Sequence, residues 1–146
     1  MIDLSTIRRP AVEGYCGRRS YVPGDTVTVS CSTRLDEFDV EVARVGATRE
    51  IVWTGRGVAG TDQPTPNDAS THGCGWDTTF EFEVGHEWQS GVYLVTFGPT
   101  GATGMELGDA MFVVRPARPT ADALLVVSTN TYNAYNAYGG DCLYTG

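Results

Sequence analysis

The chain has 146 residues, a formal charge of −8, a pI near 4.5 and a hydrophobic share of 41%. That length and apolar content fit one folded domain with its own core and exclude disorder throughout. The acidic balance excludes a nucleic-acid partner, because phosphate binding rests on clustered cations and the basic doublets are only Arg8-Arg9 and Arg18-Arg19.

Residues 1–11, which include MIDLSTIRRP, read as an N-terminal arm without the apolar core of a signal peptide. No run approaches the length of a membrane helix, so the expectation is a cytoplasmic protein with no membrane contact. Tyr21-Val22-Pro23-Gly24-Asp25 is a turn, with Pro presetting φ and Gly supplying a positive φ. Residues 26–32 alternate apolar and polar side chains, as a half-buried strand does. Residues 38–45 alternate more strictly, with apolar side chains on one face and mostly acidic ones on the other. A shorter run covers 50–54, followed by a long polar loop from Gly57 to Gly75. Phe80, Phe82 and Val84 face inward along 79–84, and runs at 91–97 and 110–115 complete the set. No segment shows a sustained helical period.

This pattern predicts a mainly β fold, an immunoglobulin-like antiparallel β-sandwich over residues 12–115. Ser90-Gly91-Val92-Tyr93 enters a late strand in the manner of a tyrosine corner. The two prolines of residues 116–120 mark a linker, since they exclude both a helix and a central strand. Beyond it, residues 124–127 are continuously apolar, as in a parallel strand buried on both faces. Residues 121–146 therefore read as the truncated first strand and loop of an α/β domain. Four dispersed cysteines, Cys16, Cys31, Cys74 and Cys142, are expected to be reduced thiols.

The tail carries the chemistry. Asn130-Thr131-Tyr132, Asn133-Ala134-Tyr135 and Asn136-Ala137-Tyr138 repeat a phenol and a carboxamide beyond an apolar run. Such groups can bind a metal, polarise a carbonyl or stack on a ligand, or simply pack against a neighbouring domain. Elsewhere, His86-Glu87 lacks the second His of a zinc helix, and His72-Gly73-Cys74 has no partner pair at ligand spacing. Gly98 to Gly104 lacks the Lys of a phosphate loop, and there is no GxSxG elbow.

Phe112-Val113-Val114-Arg115-Pro116, a short gap, the apolar run, NTYNAYNAYGG and Leu143-Tyr144 together resemble the large (beta) subunit of N,N-dimethylformamidase and its relatives. The resemblance spans residues 12–146, but the sandwich matches only in layout: the PGD turn, the FDVEVARVG strand and the EWxSGxY corner. It implies a hydrolase of formamide-type C–N bonds using a mononuclear iron, with Tyr135 as a metal ligand. Tyr132, Asn136 and Tyr138 would support that ligand from nearby positions. The family's other ligands, a His and a Glu from an HDE-type segment, have no counterpart in this sequence. The resemblance therefore implies that this chain alone binds no iron and is inactive as given. It also implies a partner: the missing catalytic domain or a small subunit, with self-association through the C-terminal tail as a further expectation. The alternative is a free-standing immunoglobulin-like binding module, with Trp53, Trp76 or Trp88 meeting a sugar or protein surface.

Overall fold

A computed structural model describes residues 9–103, 107–118 and 121–135. In chain order the strands are β1 (Val12–Cys16), β2 (Ser20–Tyr21), β3 (Thr26–Thr33), β4 (Glu37–Val45), β5 (Arg49–Ala59), β6 (Phe80–Glu83), β7 (Gly91–Gly98) and β8 (Gly108–Val114). Two short helices join them, α1 (Ala69–His72) and α2 (Thr129–Tyr135). The strands form a three-stranded sheet, β1-β3-β6, and a five-stranded sheet, β2-β8-β7-β4-β5. All pairings are antiparallel except β2 with β8. The chain thus starts in one sheet and crosses to the other at Gly17–Arg19.

The period-two pattern decides which side chains face inward. Val27 and Val29 of β3 face Phe38, Val40 and Val42 of β4, and all five are essentially inaccessible to water. Asp39 and Glu41 stay on the outer face, where Asp39 pairs with Arg56 at 2.6 Å and Glu41 pairs with Arg49. Tyr93, Val95 and Phe97 of β7, with Ala110, Phe112 and Val114 of β8, complete the core. Phe112 sits at its centre, stacked on Tyr93 at 5.4 Å and meeting Tyr21 edge-on at 5.5 Å. Each large apolar side chain so buried contributes about 1.5–3 kcal/mol.

The turn at residues 22–25 forms as its sequence predicts. Gly24 has φ +88°, the Asp25 N–H donates to Val22 O at 3.0 Å, and the Val22 N–H donates to the Asp25 carboxylate at 3.0 Å. The Tyr93 hydroxyl donates to Gln89 O at 2.7 Å, which ties the entry of β7 to the preceding loop as the SGxY spacing suggests.

Three expectations are corrected. β5 runs from Arg49 to Ala59, not over 50–54, and the following loop contains the single turn α1. That loop is held by Gln63, whose amide donates to Cys31 O at 2.9 Å and Asp77 O at 3.0 Å. Residues 124–128 form no strand, and Leu124, Leu125 and Val126 are 88%, 81% and 79% exposed. Apolarity without a partner backbone makes no strand, because a ladder needs a neighbour to accept and donate its hydrogen bonds. The NTYNAY segment is helical, not a loop: α2 covers it and its Tyr132 N–H donates to Ser128 O at 3.2 Å. Trp76 and Trp88 are buried, and Trp53 is half-buried with its ring stacked on Phe82 at 4.9 Å.

Candidate functional site

A cleft of about 440 Å³ lies where the chain crosses between the sheets. The β1–β2 crossing forms one wall, the turn after α1 a second, β8 a third and α2 the last. Its size is that of a small-molecule site.

Each wall is positioned by local interactions. The Tyr15 phenol accepts the Trp76 backbone N–H at 2.9 Å, and the two rings stack at 5.7 Å. The Trp76 indole in turn donates to Pro64 O at 3.1 Å, so the loop carrying His72 and Cys74 is pinned to β1. The Arg18 N–H donates to the Tyr21 hydroxyl at 2.8 Å, while its guanidinium lies 4.6 Å over the Tyr21 ring and 3.3 Å from the Asp25 carboxylate. Arg19 reaches the other way and donates to the Asn130 carboxamide of α2 at 3.5 Å. That long, exposed contact links the helix bearing Thr129 and Tyr132 to the sandwich. The His72 imidazole pairs with Asp68 at 3.2 Å.

The floor is uncharged. Burial pushes the Cys16 thiol up to about 12 and pushes the Cys31 thiol behind it higher still. Burial also raises the Tyr15 and Tyr21 phenols, more than the Trp76 and Arg18 backbone N–H groups lower them. At neutral pH the cleft therefore has a protonated, weakly polar base beneath a rim that includes two guanidinium groups. Cys16, Cys31 and Cys74 are free thiols.

The residues expected from the sequence fall unevenly around this cleft. Tyr132 stands in its wall, half-buried. Tyr135 ends α2, and its side chain lies outside the described residues, as do Asn136 and Tyr138. His72 lines the cleft, whereas His86 lies beside the Gly24 turn, its Cε1 3.4 Å from where a Cβ on Gly24 would sit. Among the described residues no three His, Cys, Asp or Glu side chains are grouped so as to hold a metal ion. Sequence reasoning missed Arg18, Arg19 and Cys16 as wall residues. The doublet reads as solvated surface, and only Gly17 directly after an alternating strand hints that the chain turns there.

Residues 39–146 match the family described as N,N-dimethylformamidase beta subunit-like, C-terminal. The chain belongs to this family. The matched span runs from Asp39 within β4 through β8 and α2, so the family's pattern runs through most of the sandwich and not the tail alone. No curated protein matches the chain. Among solved structures, the chain is similar to the sulfur carrier protein SoxY from Chlorobium limicola f thiosulfatophilum. Identity there is 10% over 74% of this chain and 80% of that one, with a TM-score of 0.33, too loose a likeness to carry an argument. Among the described residues no helix is long and apolar enough to cross a membrane.

Proposed function

We propose that this chain forms part of an amide hydrolase acting on formamide-type C–N bonds, as the large subunit of an N,N-dimethylformamidase-like enzyme. The single observation that carries this reading is the family match over residues 39–146, which includes the NTYNAY segment. In this reading the sandwich is a rigid platform, and α2 carries Tyr132 and ends at Tyr135.

Iron is the metal that the family resemblance implies, and Tyr135 is its implied ligand. The described donors do not fit an iron site by themselves: His72 is engaged with Asp68, and no third imidazole or carboxylate joins it. No chemical step is therefore assigned to iron here. The catalytic work calls for groups beyond the described residues, supplied by a further domain, a small subunit or both. The exposed strip Leu124–Val126 supports that view, since a covering partner would bury three large apolar side chains.

Two measurements test this reading. The isolated chain, titrated with ferric iron, is expected to give no one-to-one tyrosinate-to-iron charge-transfer band and no release of dimethylamine from N,N-dimethylformamide. A strong stoichiometric band would overturn the inactive-alone reading. Co-expression with the polypeptides encoded beside it is expected to restore hydrolysis, and Tyr135→Phe to abolish it. Full activity in the Tyr135→Phe complex would remove that residue from the chemistry.

A further inference from the structure

The outer face of the five-stranded sheet is divided into two halves. On three neighbouring strands the outward positions change from polar to apolar at the same level. Glu41, Thr96 and Asp109 lie side by side on β4, β7 and β8. Two residues along, the row is Ala43, Leu94 and Met111, and the next is Val45, Val92 and Val113. Ile51 of the edge strand β5 extends the apolar half, since it pairs with Ala43. A sheet face left to water normally keeps polar side chains at its outward positions.

This apolar half stays in contact with water. Val45 and Ile51 are 47% and 53% exposed, and Leu94, Val92 and Val113 are half-buried. Apolar residues scattered singly over a surface need no explanation, but a contiguous block across four strands marks an interaction surface. The carboxylates of β4 beside the block are matched. Asp39 pairs with Arg56 and Glu41 with Arg49, both arginines coming from β5. A charged partner would therefore find little field to steer it here, and a second copy would meet no repulsion from these pairs.

We propose that the apolar half is a docking surface for a second copy of this chain, with the two five-stranded sheets face to face. Two copies of one sheet share one twist, so their strands pack nearly aligned, as the sheets of a sandwich do. A two-fold axis through the block sets apolar rows against apolar rows and closes the pair. Four strands at about 4.8 Å spacing and about seven residues at about 3.3 Å rise make a face that, doubled, removes on the order of 1,000 Å² from water. That is the size of a weak dimer that forms and dissociates with concentration. The surface is built from the described residues alone, so it stands whether or not the amide-hydrolase reading holds.

The test is sedimentation equilibrium of the full chain carrying Leu124→Ser/Leu125→Ser, which sets aside association through the exposed apolar strip. The expected result is a reversible monomer–dimer equilibrium. Rising sodium chloride should strengthen it, because each copy carries a net charge of −8 while the contact itself is apolar. Adding Ile51→Glu is expected to weaken the dimer by about tenfold or more, because the new carboxylate would be buried without a partner. The thermal melting curve of that variant should stay in place, since Ile51 is exposed in the single chain. Val92→Thr/Leu94→Thr, which leaves good strand formers in β7, is expected to weaken the dimer as well. A monomer at every concentration, a dimer indifferent to Ile51→Glu, or one that salt dissociates would each overturn the proposal.

Discussion

The sandwich and the tail are both rich in apolar residues, yet they meet opposite ends. Phe38, Val40 and Val42 are buried, while Leu124, Leu125 and Val126 are 88%, 81% and 79% exposed. Alternation is the difference. A strand with one apolar and one polar face can be covered on one side and wetted on the other, so β4 finds β5 and β7 as neighbours and still solvates Asp39 and Glu41. A segment that is apolar on every face needs cover on all sides, and the described residues offer it none. Hydrophobicity by itself therefore does not bury a segment; a partner of matching geometry does.

The largest expected contrast lies in thiol reactivity. Cys31 is buried and Cys16 half-buried at the cleft, and burial pushes the Cys16 thiol up to about 12. Native protein at pH 8 should label at these two positions far more slowly than the unfolded chain, as mass-mapped reaction with Ellman's reagent would read. Rapid native labelling of Cys31 would mean that the β1–β3 interface opens easily.

Next come paired truncations. Phe112→Ala removes a ring packed against Tyr21, Tyr93 and Phe82, and should cost about 3–5 kcal/mol in urea unfolding. Leu124→Ser/Leu125→Ser should change stability by less than about 0.5 kcal/mol, because little area leaves contact. The same double variant should reduce any self-association seen by sedimentation. A large stability loss there would show that the strip is packed in solution.

A smaller effect separates packing from hydrogen bonding within the core. Tyr93→Phe keeps the ring stacked on Trp88 but deletes the donor to Gln89 O, and should cost about 1 kcal/mol. The least effect belongs to the outer face. Arg56, the Gly57 N–H and the Thr100 hydroxyl hold the Asp39 carboxyl below its ordinary value, Arg56 above all. A depressed carboxyl stabilises the fold above its unfolded titration range and loses that contribution as pH falls through the folded one. The stability gap between wild type and Asp39→Asn should therefore be present at pH 7 and close as the pH drops below about 4. A gap that persists unchanged at pH 3 would refute the assignment.

Much of the sandwich was legible because its signals are local. The Pro23-Gly24 turn, the alternation of 26–32 and 38–45 and the SGxY entry to β7 each depend on residues close in sequence. β2 was not legible: two residues carry no period, and Ser20-Tyr21 becomes a strand only because Val113 and Val114 lie alongside. The candidate site was half legible. Tyr132 stood out in its triplet repeat, but Arg18 and Arg19 gained their place only when β1, β8 and α2 came together.

The sequence by itself determined the mainly β character, the facing of each alternating strand, the Gly24 turn and the family, because these follow from nearest neighbours and from pattern along the chain. Only the tertiary structure decided that the tail's apolar run stays unpaired, that NTYNAY winds into a helix and that two arginines rim a cleft with no carboxylate in its lining. Those outcomes depend on which distant surfaces meet, and contacts between remote segments leave no period in the chain that forms them.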